Sequence, residues 1–122
     1  MQNLILVGLG GGFGAILRWS ISLLLNSEEY PLGTLTVNLL GSFLLGLLTL
    51  ALAQELVSET MAIALGVGVL GAFTTMSTYS METVKMLQNG GSSTGLIYVL
   101  ITMVFCPAFA YFGWYAGARV FA

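Results

Sequence analysis

Residues 71–82, Gly71-Ala-Phe-Thr-Thr-Met-Ser-Thr-Tyr-Ser-Met-Glu82 (GAFTTMSTYSME), put five Ser or Thr hydroxyls and one carboxylate into a chain that is otherwise apolar. Just upstream stand Gly66 and Gly68, and the stretch itself opens on Gly71 and the β-branched pair Thr74 and Thr75. Glycines and β-branched residues are poor helix material, so a helix through this region is expected to break near Gly71 to Thr75. If the stretch lies in a membrane, a break is tolerated only where protein or water satisfies the freed backbone groups, and such breaks often hold ions. Carbonyls released there suit a small hard cation, while donors and the positive edges of aromatic rings suit an anion. The competing reading is a packing seam of hydroxyls between helices.

The rest of the chain supplies the membrane. Of 122 residues, 57% are hydrophobic and 7% charged, with mean hydropathy +0.97, against about 25% charged in soluble domains. A crossing helix takes about 20 apolar residues, so this length admits four spans and little else. Hydrophobic runs bounded by charges and turn residues set them at roughly 3–26, 33–54, 61–87 and 94–120. The expected fold is an all-α membrane protein, a single four-span domain covering 1–122 with its third helix broken near the middle. The first run begins apolar with no basic residues before it, so it reads as a span and not a cleavable secretory signal.

Composition also excludes functions. Three basic residues and a net charge of −2 leave no surface for nucleic acid or anionic lipid headgroups. No His and no Asp are present, so catalytic triads, His metal sites and paired Asp bases are ruled out, and no enzyme is expected. The lone Cys106 cannot form an internal disulfide. The basic residues do not orient the chain either: Arg18 and Lys85 stand against Arg119 and the terminal amine. A tie under the positive-inside rule allows insertion either way up, and hence an antiparallel homodimer. Small residues at four-residue spacing (Gly8 and Gly12, Gly10 and Gly14, Ser42 and Gly46, Gly113 and Gly117) fit close helix packing, within the bundle or between subunits.

Polar groups inside a membrane are costly, and each is a candidate for function. Arg18, toward the end of the first span, can snorkel to the interface or draw anions into a vestibule. Asn38, with Thr34 one turn before it, can bond a neighbouring helix or a permeating ion. Glu82 has Lys85 at i+3 to neutralise it. Tyr98, Thr102 and Cys106 recur at steps of four and form one polar stripe on the fourth span. Within the opening stretch, Met76 and Tyr79 share a face, with Ser80 adjacent.

Three motifs, GAILRW at 14–19, TLTVNLLGSFLLG at 34–46 and GAFTTMSTYSME at 71–82, make the chain resemble the Fluc/CrcB fluoride channel family over essentially its whole length. The resemblance implies a fluoride-specific channel in the cell membrane that exports F− passively and lowers cytoplasmic fluoride. It implies an antiparallel, dual-topology dimer with two pores, and a structural Na+ at the dimer centre held by main-chain oxygens of Gly71 and Thr74. It also carries the fluoride pathway onto Arg18, Thr34, Asn38, Met76, Tyr79, Ser80, Glu82, Tyr98, Thr102 and Cys106. One departure stands out. The family's break usually reads TTFSTFS, with two phenylalanines whose ring edges face fluoride, whereas this chain has Met76 and Tyr79 at those positions. The partner is thus either a second copy or a related subunit that supplies the phenylalanines. A rival from another class is a proton-coupled exporter of small-multidrug type; it would be expected to carry an acid in its first span, which here has none.

Overall fold

The computed structural model describes all residues, Met1–Ala122, and is helical throughout. Helix α1 covers Gln2–Leu25 and α2 covers Leu32–Ala53. The third apolar segment, Glu59–Gln88, is composite: α3 at Glu59–Ala62, a π-helical stretch at Ile63–Leu70, a turn α4 at Gly71–Phe73, and α5 at Met76–Gln88. Helix α6 covers Ser92–Val120. Four segments are thus long and apolar enough to cross a bilayer, as a multi-pass membrane protein requires.

The ends of the helices follow from local chemistry. Asn26-Ser-Glu-Glu-Tyr-Pro31 closes a tight turn in which the Ser27 N–H donates to the Tyr30 carbonyl at 3.0 Å. Ser58 accepts the Met61 N–H and starts α3, with Glu59 in the first turn where the helix dipole favours an acid. Between α2 and α3, Glu55 takes a left-handed φ of 58°, and the Leu56 N–H reaches back to the Ala51 carbonyl at 2.9 Å. That pattern closes a helix in a Schellman-type turn, where glycine is the usual occupant.

Helix α2 lies along α6, α1 along the π-helical stretch and α4, and α5 against α6. Small residues set these approaches. A Cβ on Gly46 would run into the Ala110 carbonyl, and one on Gly113 into the Phe43 carbonyl, so these two glycines let α2 and α6 touch backbone to backbone. Gly10 and Gly14 do the same for α1 against Ala64 and Val69. Gly8 and Gly12 meet nothing within 4 Å and lie on an open face. Only 20 of 122 residues are buried, while Leu, Ile, Phe and Trp side chains cover the outside, the inverse of a water-soluble surface and the pattern expected where lipid tails are the solvent.

The third span differs from a break over all of Gly71–Thr75. Helical geometry persists through Phe73, and only two residues leave it, Thr74 (φ −88°, ψ 156°) and Thr75 (φ −153°, ψ 119°), joining the two halves of one span. Upstream, the Gly71 N–H reaches back five residues to the Gly66 carbonyl, the wider spacing of a π-helix. Helix α5 then restarts on Thr75, whose hydroxyl accepts the Thr78 N–H at 3.2 Å.

Candidate functional site

The extended pair is held by side chains from other spans. Asn38, on α2, clasps the backbone of Thr75 from both sides: its Oδ1 accepts the Thr75 N–H at 2.8 Å, and its Nδ2 donates to the Thr75 carbonyl at 3.1 Å. Arg18, on α1, donates through Nε to the Ala72 carbonyl at 3.0 Å. Its side chain therefore runs inward to the middle of the third span and does not snorkel to the interface. These bonds replace those that two extended residues cannot make within a helix.

The replacement leaves particular oxygens free. In an uninterrupted helix the Gly71 carbonyl would accept from the Thr75 N–H and the Thr74 carbonyl from the Thr78 N–H. The first donor is taken by Asn38 and the second by the Thr75 hydroxyl. Gly71 and Thr74 also line a common cleft. Two carbonyl oxygens without their helical donors suit a hard monovalent cation, and no cluster of acids, Cys or His competes as a metal site. The residues present fit a Na+ held by main-chain oxygen.

The cleft, about 450 Å³, collects residues from α2, the third span and α6. Asn38, Met76, Tyr79, Thr102 and Cys106 all line it, so five of the expected pathway residues meet in one place. Pro107 lines it too, and its missing N–H frees a carbonyl one turn earlier on α6. The Thr102 hydroxyl is buried and has no hydrogen-bond partner in the chain. Met76 is 71% exposed and Tyr79 9%, so the two positions that depart from the family pattern stand in different environments. The Ser42 hydroxyl, also on the cleft, donates to the Asn38 carbonyl at 2.6 Å.

A second polar cluster lies toward the end of the spans. Glu82 accepts from the Thr34 hydroxyl at 2.7 Å, the Tyr98 hydroxyl at 2.8 Å and Asn26 Nδ2 at 3.4 Å. Its partners are these neutral donors and not Lys85, because neighbouring spans reach the carboxylate directly. The rings of Tyr79 and Tyr98, 5.2 Å apart between centroids and tilted by 55°, connect the cleft to this cluster. The stripe on α6 is therefore divided: Tyr98 belongs to the carboxylate cluster, Thr102 and Cys106 to the cleft.

Ser80 joins neither group. Its hydroxyl bonds back to the Met76 carbonyl at 2.8 Å on an exposed face, as membrane hydroxyls often do. Three participants escape sequence reading: Asn26, the Thr75 backbone and Pro107. For Asn26 the available signal was the turn ending in Pro31, which marks the start of a helix where an Asn side chain finds free N–H groups.

Known proteins resemble this chain along nearly all of it. The family model described as CrcB-like protein, Camphor Resistance (CrcB), matches residues 5–114. A protein of Ruminiclostridium cellulolyticum named fluoride-specific ion channel FluC is 42% identical over 112 residues, covering 87% of this chain and 85% of its own length. Proteins of the same name from Shewanella denitrificans and Idiomarina loihiensis are 41% identical over 116 residues (93% and 94% covered) and 42% identical over 115 residues (88% and 89% covered).

Proposed function

The chain belongs to the CrcB family of fluoride-specific ion channels, and from that premise we propose that it conducts F− passively across the cell membrane, exporting it and lowering cytoplasmic fluoride. The functional unit is an antiparallel dimer of single four-span domains with two pores. The observation that carries the reading is the buried, unpartnered Thr102 hydroxyl on a cleft that also holds Asn38, Tyr79 and Cys106. An orphan hydroxyl in a membrane interior costs about 1–3 kcal/mol unless something accepts from it, and fluoride, a compact acceptor, is a fitting guest.

The pathway runs from the cleft past the Tyr79 and Tyr98 rings to Glu82. Fluoride loses water against the donors of the cleft: the second Nδ2 hydrogen of Asn38, the Tyr79 and Thr102 hydroxyls, and the more weakly donating Cys106 thiol. At Met76 the ion meets a polarizable thioether and weakly positive methyl hydrogens in place of a ring edge. Glu82, bound by three neutral donors, keeps its carboxylate turned toward them at the pathway's mouth. Arg18 supplies the one positive side-chain charge near the middle of the third span, favouring anions there. Gly71 and Thr74 would hold Na+ through their carbonyl oxygens, and the cation would supply a fixed positive charge that ties the subunits together. Thr34 acts through its bond to Glu82, and the exposed Ser80 face joins the lining once the partner is in place.

Fluoride efflux from liposomes containing the purified chain tests this reading. Rapid efflux shunted by a K+ ionophore and indifferent to a pH gradient is expected; proton-linked movement of an organic cation with no fluoride flux would replace the channel by an exporter. The Met76 and Tyr79 departures define a second form of the reading, a heterodimer with a related subunit, which predicts no flux from this chain alone and recovery with the companion.

A further inference from the structure

Asn26 ends α1 and lies outside the motifs shared with the family, yet its amide is the most heavily bonded side chain in the protein. Its Oδ1 accepts the N–H groups of Gly33 at 2.7 Å and Thr34 at 3.2 Å. That pairing fixes which end of the amide faces α2, because only the oxygen accepts. Nδ2 is then directed at the Thr34 hydroxyl and at Glu82 Oε1, each at 3.4 Å. Thr34 and Tyr98 donate to the same carboxylate, so this one network touches all four spans. Its geometry depends on the turn: a Cβ on Gly33 would lie 2.9 Å from Asn26 Oδ1 and 2.8 Å from the Ser22 Cα. Asn26 also lines, with Glu82 and Lys85, a polar cleft of about 370 Å³ open beyond the carboxylate.

We propose that Asn26 is a positioning residue that holds the Glu82 carboxylate against Thr34 and Tyr98 and so sets the mouth of the ion pathway. The contact stands by itself; its consequence for conduction rests on the channel reading above. The alternative is that Asn26 only caps the start of α2, and the two roles predict opposite effects of one substitution. Asn26→Asp keeps the acceptor for both N–H groups and adds negative charge at a helix N-terminus, so a pure cap is left unchanged or improved. In the positioning role the same change removes the donors and brings a carboxylate oxygen against Glu82.

Thermal stability of the detergent-solubilised chain is measured for Asn26→Asp, Glu82→Gln and the double variant, with fluoride efflux in liposomes alongside. Asn26→Asp is expected to lower the melting temperature and to slow efflux roughly tenfold or more. The double variant, in which the Gln amide can donate to Asp, is expected to recover most of the lost stability. A melting temperature for Asn26→Asp at or above the parent, or additive effects in the double variant, would overturn the proposal. If Asn26→Asp does not fold, recovery or non-recovery in the double variant still decides. A parent chain that carries no fluoride either alone or with a related companion subunit would sink the channel reading, and the stability cycle would judge the contact regardless.

Discussion

Asn38 shows how much one amide can do when the backbone beside it is extended. Both halves of the amide are used on Thr75, so Asn38→Asp retains the acceptor and turns the donor into an oxygen facing the Thr75 carbonyl. Leaving a buried carbonyl opposed in this way costs about 1–3 kcal/mol, and a fixed negative charge in an anion pathway adds repulsion. Fluoride efflux from this variant is expected to fall by roughly a hundredfold, the equivalent of about 2.7 kcal/mol; unaltered efflux would remove Asn38 from the pathway. Arg18 has a related duty, since Arg18→Ala leaves the Ala72 carbonyl without its donor. Its melting temperature should drop below the parent's, and Arg18→Lys should restore little of it, because an ammonium does not reproduce the directed Nε donor. Neither role is readable from the residues alone. Arg18 allowed snorkelling or anion attraction, and its bond to Ala72 spans 54 positions of sequence.

At the scale of the element, the third span is the part built from compromises. Its π-helical Ile63–Leu70 keeps its bonds at a wider spacing, whereas the extended Thr74–Thr75 gives up helical hydrogen bonds that Asn38 and Arg18 replace around Ala72 and Thr75. The glycines and threonines in GVGVLGAFTT indicated weak helix, but they did not determine that only two residues would become extended. That was settled by which carbonyls and N–H groups Asn38 and Arg18 could reach. A different element end carries a cost with no replacement: Glu55 at φ 58°. Glu55→Gly removes the Cβ penalty of the left-handed region and is expected to stabilise the chain by about 1 kcal/mol, read as a higher midpoint in denaturant titration with efflux unchanged. The reverse experiment is Gly113→Leu. Its side chain would enter the Phe43 backbone, so α2 and α6 should separate and the folded protein should be lost from detergent extracts.

For the whole molecule, the outer surface and the balance of charge are the informative features. Large apolar side chains face outward on every span, and basic residues are too few to orient the chain. Dual topology is therefore expected to be measurable: with Cys introduced at Asn89 in a Cys106→Ala background, an impermeant maleimide should label a comparable fraction from each side of the membrane. Labelling from one side alone would exclude the antiparallel homodimer. If Gly71 and Thr74 hold Na+ as proposed, replacing Na+ by a bulky organic cation during purification should loosen the assembly, seen as subunit exchange between differently tagged copies. No change in exchange would argue against cation binding there.

The four membrane spans are legible in the residues alone, because the transfer of each apolar side chain into lipid adds along the chain and needs no partner. So are most of the polar residues that meet at the cleft, since a polar group in a hydrophobic run is conspicuous wherever it points. Which groups bond to which follows from how the helices cross: Asn38 meets Thr75 across 37 residues, and Asn26 meets Glu82 across 56. The same crossings replace the expected Lys85 partner of Glu82 by Thr34, Tyr98 and Asn26. Hydrogen bonds act over about 3 Å and depend on direction, so they are chosen by how helices cross, and that depends on the backbone approaches at Gly46, Gly113 and Gly33 more than on any neighbour in the chain.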